Sequence, residues 1–115
     1  MDYTKITTDR QFRDASGYSK ESFEKLLRDF ELYYKKYRGQ SYESYIEENV
    51  KETPRLQTLG QALFFVLFQL KNDLVFGALG FVFGMSPSTA QGNFKYFLKL
   101  LEQTLEKKSH AEAKF

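Results

Sequence analysis

The sequence predicts an all-α fold: a compact four- to five-helix domain containing a helix-turn-helix. Three observations predict it. Apolar residues recur at three- and four-residue spacing along most of the chain, and no alternating strand pattern survives. Capping residues and glycines fall where those periodic stretches begin and end. The 115 residues, with 42% apolar and 28% charged side chains, suit one globular unit and leave no room for a second large fold. The expected organisation is a single helical domain over residues 1–106 and a mobile C-terminal tail over 107–115.

Each element follows from its local residues. Residues 8–15 form a short helix capped by Thr8, with Asp9 at its positive end and Ser16-Gly17 as the stop. Ser19 caps a longer helix over 20–37, whose apolar stripe is Phe23, Leu26, Leu27, Phe30, Tyr33, Tyr34 and Tyr37. Gly39 ends it. Residues 41–52 read either as a short helix or as an ordered loop. Thr53 and Pro54 open a helix over 54–71 that is apolar nearly all round, with Leu59, Leu63, Val66, Leu67 and Leu70 on one face. That pattern marks the central, buried helix. Asn72 or Asp73 caps the next helix, 74–83, which Gly84-Met85 closes. Ser86 caps the last helix, with Pro87 at its first position. Its stripe is Ala90, Phe94, Phe97, Leu98, Leu101 and Leu105, and it frays near Lys107-Lys108.

Aromatic chemistry divides the chain. Seven of the eight tyrosines precede Ile46, and eight of the twelve phenylalanines lie between Phe64 and Phe97. A phenol wants water or a partner, so the first half reads as a peripheral layer and the second as the core.

Composition excludes several chemistries. Cysteine is absent, which removes disulfides, thiolate metal sites and cysteine nucleophiles. The only histidine is His110, so neither a Ser-His-Asp triad nor a multi-histidine metal site is expected. No catalytic residue, metal or cofactor is expected, and the chain does not read as an enzyme. Glu43, Glu47, Glu48 and Glu52 read as a solvated acidic face. Lys35, Lys36 and Arg38 complement the negative end of a helix dipole. The most apolar stretch, residues 56–85, is cut by Lys71-Asn72-Asp73 into segments shorter than the roughly 20 residues a spanning helix needs. The N-terminus is polar, without a signal-type apolar run. A cytoplasmic protein without a membrane partner is the expectation.

The informative stretch is GALGFVFGMSPSTAQGNFKYF, residues 77–97. Gly84-Met85-Ser86 joins two helices by a tight turn, Met85 drops between them, and the small residues Ala78 and Gly80 let them cross closely. In such a motif the second helix offers its leading end to the major groove. Ser86, Pro87, Ser88, Thr89, Gln91 and Gly92 occupy that end. Gln91 suits a bidentate bond to adenine. Ser86, Ser88 and Thr89, with the free amides of the helix start, suit phosphates. Lys95 and Lys99 follow along the duplex backbone. With few cations facing DNA, affinity is expected to be modest and its salt dependence shallow; the net charge of +2 permits binding without arguing for it.

The order of elements resembles the N-terminal helix-turn-helix domain that precedes the DDE, RNase H-like catalytic domain of bacterial insertion-sequence transposases. ASGYSKESFEKLL and LGQALFFVLFQLKNDLVFGALGFVFGMSPSTAQGNFKYFLKLLEQTL carry the likeness over nearly all the chain outside 41–52. In that family a Leu-Gly-x-x-Phe helix leads into a Gly-Val-Ser-x-Ser-Thr-Val turn; here Leu79-Gly80-Phe81-Val82-Phe83 leads into Gly84-Met85-Ser86-Pro87-Ser88-Thr89-Ala90. The chain departs from the pattern at Gly92, where arginine is common, at Asn93, where an apolar residue is expected, and in its acidic linker. The resemblance implies sequence-specific binding to double-stranded DNA at mobile-element ends. It also implies an acidic catalytic triad beyond the end of this chain, which makes the chain one frame of a split transposase with a separately encoded catalytic domain, a truncated remnant, or a domain kept for binding alone. Two alternatives stand beside it: a small transcription regulator, or an interaction module in which Tyr96, Phe81 or Phe83 forms a homodimer surface.

Overall fold

The computed structural model describes residues 1–49 and 54–113, with side chains as far as Ser109. After a single 3-10 turn (Tyr3–Lys5) come six α-helices: α1 (Asp9–Ser16), α2 (Lys20–Arg38), α3 (Tyr42–Asn49), α4 (Leu59–Asn72), α5 (Phe76–Phe83) and α6 (Pro87–Ala113). Among the described residues there is no strand, as the periodicity predicts. The helix more than expected is α3, the segment for which both helix and loop were open.

The first two helices begin and end where their caps place them. Thr8 and Ser19 accept from the Gln11 and Ser22 amides, and the chain leaves each helix through Gly17 and Gly39. The next boundary differs from expectation. Helix α4 starts at Leu59, not at Pro54, and Thr53 lies outside the described residues. The cause is a capping box. Thr58 Oγ1 accepts from the Gln61 amide (3.1 Å), while Gln61 Oε1 accepts from the amides of Thr58 (3.3 Å) and Gln57 (2.7 Å). Nor does Asp73 cap α5. It is the left-handed C-cap of α4 (φ 48°), and α5 opens at Phe76 without a side-chain cap. Buried Gln69 fixes the connection before it instead. Its amide donates to the Leu74 carbonyl (2.7 Å) and accepts from the Leu74 N–H (3.2 Å), so Leu74 is held in the connection rather than in the helix.

Helix α4 is the hub, as its all-round apolar sequence predicts. Leu63, Phe64, Phe65 and Val66 are essentially inaccessible to solvent, and α1, α2 and α6 pack around them. Phe12, Phe23 and Phe64 meet in edge-on and tilted pairs 5.1–6.4 Å apart, and Tyr3 joins them from the N-terminal turn. Leu70 escapes this core at the end of α4, at 53% exposure. On α6 the buried stripe is Ala90, Phe97, Leu100, Leu101 and Thr104, while Leu105 turns outward. Thr104 enters the core because its hydroxyl donates back to the Leu100 carbonyl (2.8 Å). The helix does not end at Lys107-Lys108 but runs to Ala113. Lys108 reaches Asp29 of α2 (3.2 Å), and Lys107 lies 5.9 Å from the Tyr33 ring. No glycine or proline interrupts the sequence beyond them.

The tyrosine layer is less peripheral than its chemistry suggests. Tyr34 and Tyr42 are buried and stack edge-on at 5.6 Å, and Tyr42 meets Phe97 of α6 at the same distance. The Tyr42 hydroxyl donates to the Leu56 carbonyl (2.7 Å), which satisfies both groups and pins the segment entering α4 against α3. Tyr34 Oη faces the Tyr96 hydroxyl but makes no hydrogen bond. Tyr42→Phe is therefore expected to cost about 1–3 kcal/mol, because it orphans a buried carbonyl, whereas Tyr34→Phe costs close to nothing; urea denaturation of the two variants checks the contrast. Burial holds both hydroxyls above the ordinary tyrosine value of about 10. Their neutral form is the one the fold favours, so this contribution is intact below about pH 10 and is lost as pH rises through the raised values. Alkaline unfolding followed by circular dichroism is expected to steepen above that point.

Candidate nucleic-acid interface

The site begins with an absence. Gly80 is buried on the inner face of α5, and a β-carbon there would run into the Met85 carbonyl oxygen and stand 3.2 Å from the Ser86 backbone. Without it the chain after α5 folds directly back onto the helix. Gly84 adopts the left-handed conformation (φ 74°, ψ 36°) that glycine enters without steric cost. The amides of Gly84 and Met85 (2.8 Å) both donate to the Gly80 carbonyl, closing the helix end. Three residues after α5 stops, α6 starts.

Ser86 starts it as the spacing predicts. Its Oγ accepts from the Thr89 amide (3.2 Å) and its hydroxyl meets Thr89 Oγ1 (2.9 Å). Both hydroxyls are thus engaged in the cap, and Ser86 offers a ligand chiefly its backbone. Met85 is half-buried against the core, as expected, and Asn93 Nδ2 donates to its sulfur (3.5 Å). This contact gives the polar Asn93 a partner at a position facing inward. Ala90 is fully buried and anchors the first turn of α6. Ala78 plays no part in the crossing: it is exposed, and Gly80 alone provides the close approach.

The predicted contact residues all lie on the open side. Ser86, Pro87, Ser88, Thr89, Gln91, Gly92, Lys95 and Lys99 are exposed. Ser88, Gln91, Gly92, Lys95 and Lys99 recur at three- and four-residue spacing and form one ridge along α6. Lys99 stands about 18 Å along the helix from Pro87, beyond the depth of a major groove, about 8.5 Å. A groove of that depth would take residues up to about Gly92 of a helix entering end-on, with both lysines outside it.

One basic residue was missed. Arg55 is exposed, and its Nε stands 4.0 Å from where a Gly84 β-carbon would be. With Gln57, Met85, Ser86 and Thr89 it lines a concavity at the foot of α6. Nothing local marks it, because the segment before α4 reads as an acidic linker; the fold alone brings it beside the turn. Asp2 shares this concavity. The Thr4 hydroxyl, and then the Thr4 amide, hold its carboxyl below the usual range, so it is charged at neutral pH and offsets part of the Arg55 field.

The other basic cluster does structural work. Arg38 donates to the Tyr96 hydroxyl (2.7 Å) and lies over the Tyr37 and Tyr96 rings at 5.2 and 5.7 Å, clamping the end of α2 to α6. Of the aromatics expected on a partner surface, Phe83 is buried against Phe65 and Phe68, whereas Phe81 is open. Among the described residues no cluster of three His, Cys, Asp or Glu could hold a metal ion, and no helix is long and apolar enough to cross a membrane.

A tight glycine turn, a capped second helix and an exposed leading end make a helix-turn-helix. Residues 54–107 match the family model for the helix-turn-helix of DDE superfamily endonuclease. The match spans α4, α5 and most of α6, so the likeness to the N-terminal domain of transposases rests on this half of the chain. The early stretch ASGYSKESFEKLL lies outside it. No curated protein and no solved structure matches the chain. For this helix-turn-helix, Gly80→Ala is expected to lose about 1–3 kcal/mol, since the obstacle is backbone and cannot rotate away. Thermal melts of that variant beside Gly77→Ala, where nothing lies within 4 Å, isolate the effect.

Proposed function

We propose that this chain is a sequence-specific DNA-binding module that recognises the ends of a mobile element. The reading rests above all on the leading end of α6, which stands open at the foot of a tight turn inside a segment matching a transposase helix-turn-helix. Gln91, one turn into the helix, reads a base edge. Ser88, the Pro87–Thr89 backbone and Gly92 lie against the sugar-phosphate wall, where the missing Gly92 side chain permits close approach. Lys95, Lys99 and Arg55 hold phosphates on either side of the groove. Cleavage and joining are left to an acidic-triad catalytic domain outside residues 1–115, and the protein works in the cytoplasm.

Three cations at phosphates imply a salt slope of about −2.7, or a loss of about 20-fold in affinity between 50 and 150 mM salt. Fluorescence anisotropy measures this, using a duplex selected from a random library and its scrambled counterpart. Gln91→Ala is expected to lose about 1–3 kcal/mol on the selected duplex and little on the scrambled one. Lys95→Ala weakens both alike and reduces the slope by about 0.9. Absence of binding to any duplex at low salt, or equal affinity for both duplexes, overturns the reading.

A further inference from the structure

Arg38 meets Tyr96, Tyr33 meets Gln103 and Asp29 meets Lys108, so α2 and α6 run antiparallel. Beside the last two of these contacts lies an open groove of about 300 Å³. Its floor is apolar: the Tyr33 ring, Leu32, which is 68% exposed, and the aliphatic stems of the surrounding lysines. The hydroxyls on that floor are already engaged within the chain. Tyr33 donates to Gln103 Oε1 (3.0 Å), and Thr104 donates to the Leu100 carbonyl (2.8 Å). Asp29, the one carboxylate among the described residues that line the groove, pairs with Lys108 (3.2 Å). Lys36 and Lys107 remain. They meet at the rim, and neither has a salt-bridge partner among the described residues. Lys36, through a hydrogen bond and then through its charge, holds Lys107 below the usual lysine value. Glu102 and Glu106 lie on another side of α6, about 140° and 100° round the helix from Lys107. Two like charges held together without a counter-charge repel, and an anion between them removes the repulsion.

We propose that this groove takes an acidic segment of a partner protein, a leucine or phenylalanine entering the groove while neighbouring carboxylates bridge Lys36 and Lys107. The unpaired lysines call for an anion, and the apolar floor calls for an apolar side chain beside it. A peptide with carboxylates flanking a leucine or phenylalanine supplies both. A nucleic-acid strand fits less well. Its phosphates suit the lysines, but its base edges meet no free hydroxyl on the floor. The nearby Tyr37 ring is already stacked on Tyr33 (6.0 Å, 10° between planes) and covered by Arg38 (5.2 Å), so it offers bases no open platform. The size fits as well, since about 300 Å³ is the lower end of ligand pockets and suits one or two side chains rather than a larger body. Lys107 stands about 30 Å along α6 from Pro87. A duplex at the leading end therefore leaves the groove open, and none of the groove residues belongs to the set assigned to DNA.

The test is fluorescence anisotropy of a labelled octapeptide, Asp-Glu-Glu-Leu-Phe-Glu-Asp-Asp, titrated with the whole chain at low salt and without DNA. The expected result is saturable binding with a Kd of about 10–100 µM. Lys36→Ser with Lys107→Ser is expected to weaken it about tenfold. Leu32→Ser alone is expected to do the same. Helix content by circular dichroism stays that of the wild type, because all three side chains are on the surface. An octapeptide with serine in place of its leucine and phenylalanine is expected to bind at least about tenfold more weakly. Lys5→Ser with Lys71→Ser removes as much charge from exposed positions elsewhere and leaves the Kd within about twofold. No saturation up to about 500 µM protein overturns the proposal. So does equal affinity for the serine octapeptide, or a loss that is the same for the two lysine pairs. Tighter binding of a labelled twelve-nucleotide oligothymidylate through Lys36 and Lys107 overturns it too, and makes the groove a nucleic-acid site.

Discussion

The contact between the turn backbone and the bare α-carbon of Gly80 is the constraint on which the functional half of the molecule depends. Helix α5 must end and α6 must begin within three residues, and the Met85 carbonyl has to lie where any side chain at position 80 would be. With that space free, one carbonyl can accept two amides, Ser86 can cap the next helix at once, and Ala90 can seat in the core. The outward aim of Ser88 and Gln91 then follows from helical geometry alone.

Stability comes from elsewhere. Helix α4 buries most of its aromatic and aliphatic side chains, Leu70 excepted, and the N-terminal helices are its outer coat. Two polar contacts fix how that coat meets the rest. Tyr42 ties α3 to the segment that enters α4, and Arg38 ties the end of α2 to Tyr96 on α6. Both are long-range bonds made by side chains whose bodies are apolar, so they join packing and register in one residue. The α5–α6 segment is therefore held by a scaffold of α1–α4, most of which contributes nothing to the exposed ridge.

The electrostatics of that ridge are sparse. Lys95 and Lys99 are its two lysines, one arginine comes from before α4, and an ionised Asp2 stands nearby. The charge the ridge presents is weak beside that of strongly basic motifs. The outer face of α5, with Phe81 88% exposed, is apolar and differs from that ridge in chemistry.

Local patterns in the chain determined the helical class, the caps at Thr8, Ser19 and Ser86, the central role of α4 and the turn at Gly84, because each depends on residues within one or two turns of one another. The same locality made the exposed ridge from Ser86 to Lys99 legible. Tertiary packing decided what spacing cannot express. A capping box at Thr58 outweighed the proline at 54, and Gln69 reached forward to Leu74 and shortened α5. Tyr34 and Tyr42 went inward once neighbouring rings enclosed them, while Leu70 and Leu105 went outward where the core ran out. Arg55 became part of the site only because α4 packs beside the turn. Periodicity shows that a helix has an apolar face; whether every part of that face finds a neighbour depends on the lengths and crossing of the other helices, and those are properties of the folded chain.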